Sequence, residues 1–236
     1  MIKLEKVEVM NIENAIRGAR NPMNSWDKSD SVMCNGDSVC CQCRWQDTPK
    51  CKPDTYILGD NDLSLVKRLC KAGSDHRKFL RQIFVTMDIT APLYWWKEYD
   101  TYKVGTTTNS QSTMHKIHSK EIGLEDFSID NFVVDDECIE LELNDMFVNV
   151  VADCEFLRKK FIDTKDKKYW KGLIQLLPSS YNQMRTCTMT YENLVNMYFA
   201  RKNHKLDEWH YFCDEVEQLP YMKEILDAVA SGRKAD

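Results

Sequence analysis

The sequence predicts an α+β fold, a small and mostly antiparallel sheet packed with long helices. Three observations predict it. Strand-like runs are few and short, at IKLEKVEVM and RQIFVTMDIT. Stretches with helical apolar periodicity fill most of the second half. Nothing repeats and no linker divides the chain, so a single domain spans residues 1–236, with a Cys-rich loop or insertion at 22–55.

Residues 2–10 alternate like a first strand, and NIENAIRGARN reads as a short helix. From Pro22 to Thr55 the chain is polar and Cys-rich, which predicts an irregular segment. Residues 60–72 form an amphipathic helix with Asp60 or Asn61 as N-cap. A strand over 81–90 stops at Pro92, which sits in the first turn of a helix over 92–103. GTTTNSQST reads as a loop, and residues 118–143 as mostly polar with short elements. Helices follow over 144–162, 165–177, 189–202, 205–217 and 219–231.

Bulk properties narrow the function. A net charge of −5 argues against non-specific nucleic-acid binding, so any affinity for phosphate must be local. No apolar run approaches the roughly 20 residues of a membrane helix. The N-terminus lacks the apolar core of a signal peptide, which predicts a cytoplasmic protein. Of ten cysteines, five fall in one segment. There Cys40-x-x-Cys43, flanked by Cys34 and Cys51, puts four thiolates within reach of one tetrahedral zinc. Unligated loop thiols are the alternative, because the spacing is not a pair of CxxC units. A metal-bound redox or structural module would follow from the first reading.

Two stretches could carry chemistry. In the helix over 189–202, Leu194, Val195, Met197, Tyr198, Phe199 and Ala200 point in nearly every direction. That predicts a helix surrounded by protein, with Asn196 among apolar neighbours and in need of partners. Asn196 is then either a core amide or a ligand contact. Arg201 and Lys202 either complement the helix dipole, by roughly 0.3–1 kcal/mol, or hold an anion. Upstream, Tyr94, Trp95, Trp96, Tyr99 and Tyr102 either form core or stack on a flat ligand. The hydroxyl-rich loop after Val104 offers phosphate contacts or plain turns.

These two stretches, ITAPLYWWKEYDTYKVGTTTNSQSTMHKI and LLPSSYNQMRTCTMTYENLVNMYFARKNHKLDEWHYFCDE, resemble the flavin-dependent thymidylate synthases, called ThyX, over about 56–232. The family's strand-to-helix step reads Thr90-Ala91-Pro92 here, and its Leu-Pro step is Leu177-Pro178. The family's Gln beside the pyrimidine falls on Glu98. Its Arg-His-Arg signature, seven residues and Ser become Thr101-Tyr102-Lys103, with Gln111 at the Ser and Ser112 one further. The family's flavin-contacting asparagine falls on Asn196 and its pyrimidine arginine on Arg201. The phosphate-binding cation falls near Arg185, with Met184 at the strict match. A family Asn-x-Arg becomes Thr190-Tyr191-Glu192.

The resemblance implies a homotetramer that transfers a one-carbon unit to C5 of a pyrimidine deoxynucleotide, dUMP to dTMP or a variant such as hydroxymethylation. It implies FAD as cofactor, with NADPH and methylenetetrahydrofolate as co-substrates. Asn196, Lys103 and Tyr102 would then contact the cofactor, and Arg201, Arg185, Glu98, Ser112 and Gln111 the nucleotide. The protein binds, orients and supplies charge, while the cofactor carries the chemistry. Loss of the signature arginines removes bidentate phosphate contacts. The alternative is therefore a catalytically inactive ThyX-fold protein that binds a nucleotide or a protein partner.

Overall fold

The computed structural model describes residues 2–34, 55–129 and 137–233. β1 (Lys3–Met10) leads into α1 (Ile12–Arg20) through Asn11, whose φ of 71° is one that asparagine tolerates. β2 (Val32–Met33) and β3 (Tyr56–Ile57) form a separate antiparallel pair. α2 (Asp60–Lys71), β4 (Phe84–Pro92), α3 (Leu93–Tyr99) and β5 (Thr107–Ser110) follow. Then come α4 (Glu137–Thr164), α5 (Lys167–Leu176), β6 (Asn182–Thr190), α6 (Tyr191–Arg201), α7 (Asp207–Glu217) and α8 (Met222–Arg233).

The main sheet has the order β1-β4-β6-β5. β5 runs antiparallel to β6, with Thr107 opposite Thr188 and Ser110 opposite Arg185. β4 also opposes β6. The hydroxyls of Thr86 and Thr188 meet at 2.9 Å, and Thr186 Oγ1 donates to Asp88 at 2.6 Å. Alternation along β4 sorts its two faces: Val85, Met87 and Ile89 are buried, while Thr86 and Asp88 line the half-exposed face.

The chain divides into two compact units. The first comprises Met1–Val7, Thr86–Thr188 and Asn203–Phe212. One part of its core is aromatic: Trp95 lies 4.6 Å from Trp209 and 4.9 Å from Trp96 between ring centroids. Another part gathers Ile117, Phe127, Val151, Leu173 and Tyr181.

The second unit comprises Glu8–Val85, Met189–Lys202 and Cys213–Asp236. There α2 packs on α8, and Gly232 is the point of closest approach. A Cβ at Gly232 would stand 2.2 Å from the Lys71 carbonyl oxygen. Gly232→Ala should therefore push the helices apart at a cost of about 1–3 kcal/mol, read as a lowered melting temperature. Two buried ion pairs tie this unit internally. Arg77 grips Glu192 with Nε at 2.9 Å, and Arg20 Nε stands 2.6 Å from Asp62.

Several boundaries move. Asp60 and Asn61 lie inside α2, and the N-cap is Gly59. Asp30 supplies the acceptor instead, taking the backbone N–H groups of Asn61 at 2.8 Å and Asp62 at 3.1 Å. α3 ends at Tyr99 because a turn takes over, with Thr101 Oγ1 donating to the Glu98 carbonyl at 2.7 Å. The expected loop GTTTNSQST contains β5, and the Thr-rich stretch after Leu177-Pro178 is β6. α4 begins at Glu137, well before residue 144. α6 is not surrounded: Asn196 and Ala200, four apart and so on one face, are both exposed.

Candidate functional site

The first unit holds a pocket of about 270 Å³ lined by Tyr99, Asp100, Tyr102, Lys103, Thr106 and Thr108. Its wall is made by the turn that terminates α3 and by the start of β5. Tyr99 is buried, and burial pushes its phenol well above the ordinary tyrosine range. Its neighbour Cys187 is likewise pushed up by burial, to about 11. Neither group ionises near neutral pH. Thr106 Oγ1 donates to the Tyr102 carbonyl and so fixes the turn. Lys103 is exposed and has no ion pair among the described residues.

A hydrogen-bonded array runs from this pocket across β6. Arg185 Nη1 meets Asp100 Oδ1 at 2.7 Å, and Arg185 Nε donates to Gln183 Oε1 at 3.0 Å. The guanidinium lies 4.1 Å from the Trp96 ring centroid. Gln183 Nε2 donates to the Gln111 carbonyl at 2.6 Å, and the Trp96 indole donates to the Gln183 carbonyl at 2.9 Å. Arg185 is thus held from three sides. Its side chain is 12% exposed and that of Asp100 is 51% exposed. Asp100 is the replaceable partner: it reaches Arg185 from the solvent side of a turn, while Trp96 and Gln183 are core.

The expected site residues divide between the units. Tyr102, Lys103, Gln111 and Arg185 belong to the pocket and its array. Ser112 lies just beyond Gln111 and accepts from the His115 backbone N–H at 2.9 Å. Glu98 stands 4.0 Å from His204 Nε2. Asn196 and Arg201 are on α6, in the second unit, and the expected burial of Asn196 is corrected to exposure because it shares the outward stripe with Ala200. Arg201 is half-buried. Trp95, Trp96 and Tyr99 are buried, and of the aromatic cluster Tyr99 and Tyr102 line the pocket.

Of the cysteine quartet, Cys40, Cys43 and Cys51 lie outside the described residues. Cys34 is buried and free, with its backbone N–H donating to the Thr55 carbonyl at 2.9 Å. Among the described residues no group of three or more His, Cys, Asp or Glu side chains could hold a metal. No described helix is long and apolar enough to cross a membrane. Sequence reasoning gave Asp100 and Gln183 no role of their own, and Thr108 entered only within the hydroxyl-rich loop. Nothing in the local sequence of Asp100 or Gln183 marks them, because both act through Arg185.

No protein-family model matches the chain, and no curated protein matches its sequence. Solved structures do match. One is thymidylate synthase X from Helicobacter pylori with FAD and dUMP, at a TM-score of 0.63 and 16% identity, covering 97% of this chain and 99% of that one. A second Helicobacter pylori ThyX complex with FAD and dUMP gives a TM-score of 0.62 at 16% identity, covering 95% and 100%. The UMP/dUMP methylase PolB from Streptomyces cacaoi, bound with 5-Br UMP, gives 0.59 at 13% identity, covering 99% and 96%. Chain and neighbours match along nearly their whole lengths, so the likeness is one of architecture throughout: this chain has the fold of the ThyX thymidylate synthases.

Proposed function

We propose that the protein is a flavin-dependent enzyme that transfers a one-carbon unit to C5 of a pyrimidine deoxynucleotide, dUMP or a close variant. One observation carries the reading. Tyr102, Lys103 and Gln111 come from one stretch and Arg185 from a strand more than 70 residues later, yet they converge on one pocket and its hydrogen-bonded array. The resemblance assigns all four to ligand.

The residues present suit a phosphate-bearing cofactor. Lys103 has no ion pair among the described residues, and Thr108 brings a hydroxyl to the same pocket. When bound, FAD would supply the redox chemistry, with NADPH as reductant and methylenetetrahydrofolate as one-carbon donor. Tyr102 and Lys103 would orient it. Arg185 would hold the nucleotide, with Glu98, Ser112 and Gln111 around it. For the second unit, the resemblance assigns Asn196 to the cofactor and Arg201 to the nucleotide. Self-association into a homotetramer belongs to the same proposal. The exposed side chains of Val148 and Phe156 on α4 support it, and light scattering tests it.

Absorption spectroscopy tests the whole. FAD bands perturbed by dUMP, followed by tritium release from dUMP labelled at C5, are the expected result. A protein that ignores both ligands overturns it. A second reading, nucleotide binding without catalysis, is favoured by one observation: Asp100 already occupies Arg185. Binding of dUMP with no tritium release would select it.

The same pair makes a prediction. Asp100→Asn keeps the side-chain shape but removes the charge that competes for Arg185. It should tighten dUMP binding about tenfold, the scale of one charge-assisted hydrogen bond. Calorimetric titration of the two proteins measures it.

A further inference from the structure

The second unit contains a polar pocket of about 430 Å³, lined chiefly by Asn11, Asn14, Arg17, Asn21, Trp26 and Gln82. That volume is in the range of small-molecule sites. Asn11, Asn14, Arg17 and Asn21 lie along one side of α1 and its two ends. Gly18 lies between them, and a Cβ there would stand 3.0 Å from Gln82 Oε1. Glycine therefore lets the Gln82 side chain lie close to the helix.

The hydrogen-bond directions follow from two donor-only groups. Arg17 can only donate, and its Nη2 meets Asn14 Oδ1 at 2.9 Å. Asn14 Nδ2 then donates to Asn11 Oδ1 at 2.8 Å, and Asn11 Nδ2 to the Gln82 carbonyl at 2.8 Å. At the other end the Trp26 indole can only donate, and it does so to Asn21 Oδ1 at 2.8 Å. Each of these three asparagine oxygens therefore already accepts one hydrogen bond. What remains is weighted towards donors: Nε and Nη1 of Arg17, Nδ2 of Asn21, and the side-chain amide of Gln82, which can turn its nitrogen inward.

Among the described residues no carboxylate lines the pocket and no ion pair reaches Arg17. A sugar would need acceptors as well as donors, and a cation would need carboxylates. A surplus of N–H groups around one unpaired guanidinium suits an oxyanion. Beside it Trp26 is 51% exposed, with its indole orientation set by Asn21. An exposed ring held in one pose offers a flat surface to the rest of a ligand.

We propose that this pocket binds a small oxyanion-bearing molecule, a phosphate ester or a carboxylic acid. The anion would rest on Arg17 and Asn21 and the body of the ligand against Trp26. The proposal uses no residue of the loop pocket and stands whether or not the protein is a flavin enzyme.

The test is a titration of the full-length, ¹⁵N-labelled protein with phenyl phosphate, with benzoate, and with chloride at matched ionic strength. The Trp26 indole resonance, assigned by its loss in Trp26→Phe, is the readout. A saturable shift with phenyl phosphate alone assigns a phosphate ester, and one with benzoate alone a carboxylic acid. A shift with both supports the shared chemistry. Arg17→Gln should weaken binding about tenfold, as loss of a charge-assisted bond implies. Asn21→Asp keeps an acceptor for the Trp26 indole, so the ring stays in place, yet it sets a negative charge at the anion position and should abolish binding. No saturable shift, an equal shift with chloride, or unchanged binding by both variants would overturn the proposal.

Discussion

Glu192→Ala should destabilise the protein by about 3–5 kcal/mol, the cost of leaving a buried guanidinium unpaired. Glu192 accepts from Arg77 Nε at 2.9 and 3.2 Å and from Nη2 at 2.9 Å, a bidentate pair. Both side chains are below a tenth exposed. Glu192 also lies in the first turn of α6, where a negative charge suits the helix dipole. The urea midpoint should fall with an unchanged slope, since the denatured state exposes the same surface. A double replacement, Arg77→Met with Glu192→Leu, should recover most of the loss because no charge is then stranded. A double variant as unstable as the single one would show that packing at this site, and not the lone charge, sets the cost.

Asp62→Ala should be of similar size, about 3–5 kcal/mol, for the same reason. Asp62 is fully buried, and its carboxylate takes Arg20 Nε together with the hydroxyls of Ser29 and Ser31. Burial alone would push this carboxyl up. The hydroxyls of Ser31 and Ser29 and the Arg20 guanidinium outweigh it and hold the carboxyl below its ordinary value. The sign follows. The unfolded chain binds this proton more readily than the folded one, so the stabilisation is fully present above the unfolded pKa of about 3.9. It is lost as pH falls through the lower folded value. Acid unfolding curves below about pH 4 should therefore be shallower for Asp62→Asn than for the parent.

These two carboxylates also show where the sequence was legible. Glu192 read as the loss of a family cation, and its partner Arg77 lies 115 positions away, beyond any local pattern. β4 was legible because its apolar residues alternate against one core. β5 and β6 were not. Their threonines, Thr107, Thr186 and Thr188, are polar enough to pass for a loop and become strand only when paired. The long helices were legible from their apolar stripes, though α6 was misread by counting its apolar residues instead of tracing their directions. Asn196 and Ala200 then fall on the open stripe. In the candidate site, Tyr102, Lys103 and Arg185 were marked by likeness to a signature. Asp100 was not, since nothing in the heptapeptide around it points to an arginine on a distant strand.

The described cysteines carry a practical consequence. Cys34, Cys70, Cys154, Cys187 and Cys213 are all buried and free. Burial lifts the thiols of Cys154 and Cys187 to about 11 and those of Cys70 and Cys213 to about 12. An alkylating reagent at pH 8 finds almost no thiolate on these four while the fold is closed. Each becomes reactive only when its own surroundings open. Modification rates, resolved peptide by peptide by mass, would then clock how often each unit breathes. Cys154 and Cys187 would report on one unit, and Cys70 and Cys213 on the other.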